Sequence, residues 1–485
     1  MEEAIKALLQ KVPRSVSYRY LKGYQDPYDL LIKILKENLD TIKSYLKYIP
    51  QNIVVSLLEK LTVESDSKVL CAVAESLASF PSEKALPLLE KLSNDPDWRV
   101  RLAAANALAS FPREVTLPFL EKLSSNPDEN VRRAAAWSLA SFPPEVALPF
   151  LQELTTDPEG QVRRAVAKSL ANFPSEKVIL LLEKLTTDPD SSVREAVAES
   201  LASFPPEKAL PLLERLSIDR NFYVRRAVAN ALASLPSEKT FILLEKLSND
   251  SDWPVREAVA KSLASFAPET ALPLLEKLSN DSESSVREAA AKALVSFPSK
   301  KAFLLLEKLS TDPSGYVRSA VAQSLASFPA EKALPILKKL STHSNPYIRL
   351  AVAKSLANFP PEIAIPLLEK LSTDSETDVR LAVTKSLASF PTKTALPLLE
   401  KLFTDSYDYI RQVAQNTLLC SFLPQLLQDA IAKKEHRKIL DLLDKFPVVA
   451  SCIKFEYDIN PNPFLKRILS IMAVTRQKTD FDVSL

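Results

Sequence analysis

The dipeptide Phe80-Pro81 returns every 31 residues, at Phe111-Pro112, Phe142-Pro143, Phe173-Pro174 and Phe204-Pro205. It continues as Leu235-Pro236, Phe297-Pro298, Phe328-Pro329, Phe359-Pro360 and Phe390-Pro391, and at Phe266 the proline slips to Pro268. Counted from Pro50, twelve units fit before "LLCSFLP", near Ser421, breaks the register. A period of this length predicts one small structural unit copied many times, each too small to bury its own apolar face and each dependent on its neighbours.

One unit shows what is copied. In "PSEKALPLLEKLSN", Ala85, Leu86, Leu88, Leu89 and Leu92 form a helical stripe. Pro81 suits the first turn, and Glu83 suits the positive end of the helix dipole. "DPD" then breaks the chain, and "WRVRLAAANALASF" gives a second stripe from Val100, Ala103, Ala104, Ala107 and Leu108. Its alanines keep the second helix slim, so neighbours approach closely. Pro87, inside the first helix, removes a backbone bond and is expected to bend it. Proline recurs there except at Leu180, Ile242 and Leu304, which stand 62 residues apart and imply growth by two-unit blocks.

Composition narrows the chemistry. With only 3 glycines in 485 residues, no Gly-rich phosphate loop or dinucleotide fingerprint can be written. A net charge of +2 gives no global electrostatic case for nucleic acid. Cys71, Cys420 and Cys452 are too few and too scattered for a disulfide framework or a cysteine zinc site. The N-terminal residues lack a signal-peptide pattern and no run reaches membrane-span length, so a cytoplasmic protein without membrane insertion is expected.

Three marks in fixed register, Pro87 in the first helix, Asp95 in the turn and Val100-Arg101 opening the second helix, resemble a HEAT-type repeat. The unit is shorter than the roughly 40–47 residues of ordinary HEAT units. It is similar to the short HEAT-like class of phycobilin lyase subunits and some bacterial scaffold proteins. The tetratricopeptide pattern fails for lack of its glycine, and the ankyrin T-P-L-H signature is absent. The resemblance implies an all-α, right-handed α-solenoid of about twelve helix pairs (residues 50–421), working in protein–protein interaction. Residues 1–49 are expected to form a helical N-terminal cap, and residues 422–485 a helical C-terminal cap with a polar tail.

The internal copies separate what every unit needs from what is free to vary. Asp95, Asp157, Asp188, Asp219 and Asp250 recur with Arg101, Arg163, Arg194, Arg225 and Arg256, and the series runs on to Arg411. Asn126 and His343 fill two of the aspartate places. This reads as a structural ladder, in which the carboxylate caps the second helix and pairs with arginine in its own or the next unit. The two places at the start of the second helix vary instead, from Trp98-Arg99 through Gly160-Gln161 to Phe222-Tyr223, Trp253, Tyr316 and Tyr347. One turn on come Arg133, Arg164 and Arg226, and a further turn on comes Trp137. These positions share one helical face. In solenoids the second helix usually lines the concave side, so Trp98, Arg99, Arg133, Trp137, Arg164, Phe222, Tyr223, Arg226, Trp253, Tyr316 and Tyr347 are the candidate partner-binding residues of a groove. Aromatic residues and arginines are the anchors protein interfaces favour.

No catalytic, cofactor or metal residue emerges. His343 and His436 are the only histidines, and neither is followed by Glu, so the His-Glu metal pairs of HEAT-type hydroxylases are missing. A basic, aromatic concavity such as HEAT-like DNA glycosylases use could be imitated by the early residues, but Glu195, Glu257 and Glu288 would repel a phosphate backbone along the face. The expected function is a non-catalytic scaffold for an unidentified protein. A phycobilin lyase-type subunit and a nucleic-acid binder are the alternatives.

Overall fold

The computed structural model describes residues 67–418 except Ala109, together with Thr62 and Ser421. The expected caps at 1–49 and 422–485 lie outside the described residues. Within them are 23 α-helices and no strand. The chain divides into two units, one ending at Phe266 and the other starting at Ala267, where the Phe-Pro step is interrupted.

In the first unit, the second helices are Ser67–Leu77, Trp98–Leu108, Glu129–Ser138, Gly160–Leu170, Ser191–Leu201, Phe222–Leu232 and Trp253–Ser262. They alternate with first helices Ser82–Leu92, Arg113–Ser124, Pro144–Leu154, Glu176–Leu185, Pro206–Leu216 and Glu238–Leu247. In the second unit, first helices Pro268–Leu278, Lys300–Leu309, Ala330–Leu340, Pro361–Leu371 and Thr392–Leu402 alternate with second helices Ser284–Ala293, Gly315–Ser324, Pro346–Leu356, Thr377–Leu387 and Asp408–Thr417. Each unit is therefore an α-solenoid of two helical layers.

Side-chain size dictates how the layers pack. In the second helices Val, two or three alanines and Leu are buried, for example Val193, Ala196, Val197, Ala198 and Leu201, all fully inaccessible. Helices with such short side chains come close, and along each unit the second helices pack against one another more tightly than the first helices do. The first helices contribute larger residues, such as Leu210, Leu212, Leu213 and Leu216, to the seam between layers. Two expected core positions, Leu88 and Ala103, are only half-buried. Pro81 precedes its helix as the N-cap instead of entering the first turn.

The in-helix prolines 87, 118, 149, 211, 273, 335, 366 and 397 all stand on the exposed side of the first helices. That is where Leu180, Ile242 and Leu304 are also exposed.

Buried serines add a second set of links between neighbouring second helices. The Oγ of Ser169, Ser200 and Ser262 donates to the carbonyls of Ala136, Ala167 and Ala229 at 2.7–2.8 Å in the first unit. Ser324 and Ser386 donate to Ala291 and Ala353 at 3.0 and 2.9 Å in the second. A buried hydroxyl needs such an acceptor, and the alanine-lined approach of the two helices supplies one.

Candidate functional site

The repeating aspartate and arginine meet across unit boundaries. In the first unit Arg132, Arg163, Arg194 and Arg225 pair with Asp157, Asp188, Asp219 and Asp250, with Nε to Oδ2 at 2.6–2.7 Å. Their Nη2 groups donate to the other carboxylate oxygen at 2.8–3.1 Å, making each contact bidentate. Arg287, Arg349 and Arg380 do the same with Asp312, Asp374 and Asp405 in the second unit. Nη1 is spent at home: Arg163 donates to the carbonyls of Asp157 at 2.6 Å and Pro158 at 2.9 Å. Each guanidinium thus ties its own turn to the turn of the next helix pair.

Against the expectation from sequence, the aspartates do not cap the second helices. Oδ1 accepts from the backbone N–H two residues on, as Asp157 does from Glu159 at 2.9 Å, and so shapes the turn. The cap belongs to the residue two places later: Asp97, Asp128, Asp190, Asn221 and Asn345 accept from N–H groups of the first helical turn. Asn126 Oδ1 and His343 Nδ1 preserve the turn, each accepting from a backbone N–H at 2.9 Å. Neither supplies a carboxylate to the preceding arginine. Arg101 and Arg318 accordingly keep a buried Nε without a hydrogen-bond partner. Arg101, only 4% exposed, still donates to the Asp95 and Pro96 carbonyls at 2.6 and 2.8 Å. Arg256 likewise donates to the Asp250 carbonyl at 2.7 Å.

The variable face carries exposed aromatics, and recesses form on it. The first, of about 400 Å³, is lined by Trp98, Leu102, Asn130, Arg133, Ala134, Trp137, Gln161, Arg164 and Ala165 from three successive second helices. Trp98 and Trp137 remain 47% and 41% exposed. The Arg133 guanidinium lies 6.0 Å from the Trp98 ring centroid, and that of Arg99 lies 5.8 Å from it. The second recess, in the other unit, is about 320 Å³ and is lined by Tyr316, Ser319, Gln323, Tyr347, Leu350 and Lys354, among others. Tyr316 and Tyr347 are 74% and 69% exposed. Each recess takes part of its lining from a helix whose ladder arginine has an unpartnered Nε, Arg101 in Trp98–Leu108 and Arg318 in Gly315–Ser324.

The remaining candidates fall elsewhere. Phe222 and Tyr223 stack with centroids 4.1 Å apart, and Arg226 covers Tyr223 at 4.9 Å. Trp253 is exposed near the end of the first unit and joins neither recess. Four glutamates of the face are matched by bases on it: Glu195 with Arg226 at 3.5 Å, Glu199 with Lys168 at 3.1 Å, Glu257 with Lys261 and Glu288 with Lys292, both at 2.7 Å. Among the described residues no group of His, Cys, Asp and Glu is placed to hold a metal, and no helix is long and apolar enough to cross a membrane. Burial, helped by Asp97 and Glu75, pushes the Cys71 thiol up to about 11, so it stays protonated at neutral pH.

A family profile for HEAT repeats matches ten overlapping stretches that run without a break from residue 54 to residue 418. The chain belongs to the HEAT-repeat family. No curated protein sequence matches it. Among solved structures, this HEAT-repeat chain is similar to Kap95p, whose binding induces the switch loops of RanGDP to adopt the GTP-bound conformation. That match has 14% identity and a TM-score of 0.55, covering 98% of this chain and 72% of the other. A Kap121p mutant matches at 15% identity and a TM-score of 0.47, covering 88% of this chain, which spans 58% of that protein's length. An engineered protein at 24% identity covers 75% of the chain and 98% of its own, with a TM-score of 0.28. At these identities the likeness to Kap95p bears on the fold alone.

Proposed function

We propose that this HEAT-repeat protein is a non-catalytic, cytoplasmic scaffold that binds a protein partner along the exposed face of its second helices. The observation that carries the reading is the first recess, where two half-exposed indoles and two guanidiniums converge from three units onto one hollow. Such residues in a desolvating hollow are the usual anchors of protein interfaces. The tighter spacing of the second helices supports placing this face on the inner side of the stack, because the closer-packed of two layers lies inside any curve. That Kap95p binds RanGDP agrees with a HEAT solenoid used in this way.

The test uses a photo-crosslinking side chain placed at Leu102 or Gln161 and, as a control, at exposed Glu183 on a first helix. Partner crosslinks are expected at the first two positions and not at the third. Trp98→Ala with Trp137→Ala is expected to abolish them while changing stability by no more than about 1 kcal/mol, read as melting and helicity. If the double variant unfolds readily, the indoles are structural and the face is wrongly assigned. Crosslinking to nucleic acid or to a bilin in place of protein would favour the corresponding alternative.

A further inference from the structure

We infer that the first recess is a receptor for an acidic peptide, one in which a bulky apolar side chain is flanked by carboxylates. This rests on the protein-binding reading above and specifies its partner. Trp98, Trp137 and Leu102 supply apolar wall, and a volume of about 400 Å³ suits one large side chain with its adjoining backbone. No lining residue is acidic. Arg133 stacks on Trp98, and among the described residues neither it nor Arg164 has a carboxylate partner. The Nε of Arg164 is buried and donates to nothing. Elsewhere on the same face, Arg226, Lys168, Lys261 and Lys292 are each matched by a glutamate. The ladder reinforces the contrast, because Asn126 withholds from Arg101 the carboxylate that Asp157, Asp188, Asp219 and Asp250 supply to the arginines before them. Asp97 and Asp128, which precede the helices that carry Trp98 and Arg133, are engaged at helix N-termini by the N–H groups of Arg99 and Asn130, and Glu129, in the first turn of the Arg133 helix, is exposed. Positive charge with donors to spare, beside exposed indole, selects carboxylates next to an apolar group.

The chain has 3 tryptophans, two of them in the recess, so a Trp253→Phe background makes intrinsic fluorescence a local readout. The probe is a synthetic peptide with the core Asp-Asp-Phe-Asp-Asp between Gly-Ser flanks, titrated at low salt. Saturable blue-shifted emission is expected. Affinity should fall at least tenfold when Asn replaces the probe's Asp, when Ala replaces its Phe, or when the protein carries Arg133→Gln and Arg164→Gln with an unchanged far-ultraviolet spectrum. Absence of binding, or binding within twofold for the Asn peptide or for the double arginine variant, overturns the proposal. Displacement of the probe by an oligothymidylate of higher affinity overturns it too, in favour of nucleic acid. If the crosslinks at Leu102 and Gln161 persist while the acidic peptide fails to bind, the acidic specificity falls alone. If the crosslinks are also missing, the protein-binding reading falls with it.

Discussion

At the residue scale, one position in each turn does two jobs, and the two exceptions separate them. Asn126 and His343 accept the local N–H that shapes the turn but leave Arg101 and Arg318 with a buried, unpartnered Nε. Burial, and then the charges of Arg318 and Arg349, lower the His343 pKa, which favours the neutral ring, whose Nδ1 accepts the Asn345 N–H. Asn126→Asp and His343→Asp are each expected to add a bidentate rung worth about 1.5 kcal/mol. Amide exchange in the turns on either side should slow by about tenfold; unchanged exchange would show that the missing carboxylate costs nothing there. These substitutions were legible in the sequence as gaps. Which arginine lost a partner was not. The aspartate six residues before an arginine and the one 25 residues after it differ by one period, so repetition alone treats them alike. Backbone direction decides: the home turn offers Nη1 its carbonyls, and only the next turn offers Nε and Nη2 a carboxylate.

At the scale of elements, the rungs hold neighbouring helix pairs together through charge, which makes the stack sensitive to acid. The Asp405 carboxyl is held below its ordinary 3.8, first by the Arg380 hydrogen bond, against the opposing effect of burial. For Asp219, Asp250 and Asp374 burial is the largest single influence and raises the pKa, but their arginines, a backbone N–H and the surrounding positive charge together outweigh it. A carboxylate whose pKa is depressed by folding stabilises the fold above its unfolded value, near pH 4, and that stability is lost as pH falls through the folded-state value. Helical signal is therefore expected to hold down to about pH 4 and to fall below it. Asp219→Asn with Asp250→Asn should be less stable at neutral pH and show a flatter acid limb; an identical limb would assign acid unfolding to other groups. The paired helices were legible because their apolar spacing and proline punctuation repeat. The serine links were not, since Ser200 among alanines reads as one more small residue. Its recurrence at Ser169, Ser262, Ser324 and Ser386 was the available signal.

At the scale of the whole molecule, the variable face could be picked out from sequence because twelve copies show which positions tolerate Gly, Ser and Glu. The recesses themselves required three helices to be placed side by side, which no single repeat encodes. The ladder has a further consequence. Since each arginine finds its aspartate by position within the period, a rung does not depend on which copy comes next. Removing residues 160–190, one full 31-residue period, leaves Arg132 beside Asp157 and Arg194 beside Asp219, and brings Ser200 to the Ala136 carbonyl. This shortened chain is expected to keep its helicity per residue and to melt cooperatively, whereas removal of residues 160–181, out of period, should unfold the first unit. A melt equally damaged by both deletions would show that the copies are not interchangeable. If they are, errors in copying the gene that drop or double whole units leave a foldable product, and the 62-residue spacing of Leu180, Ile242 and Leu304 is the trace such errors would leave. The number of repeats is then free to drift in inheritance, while selection acts on what each copy displays.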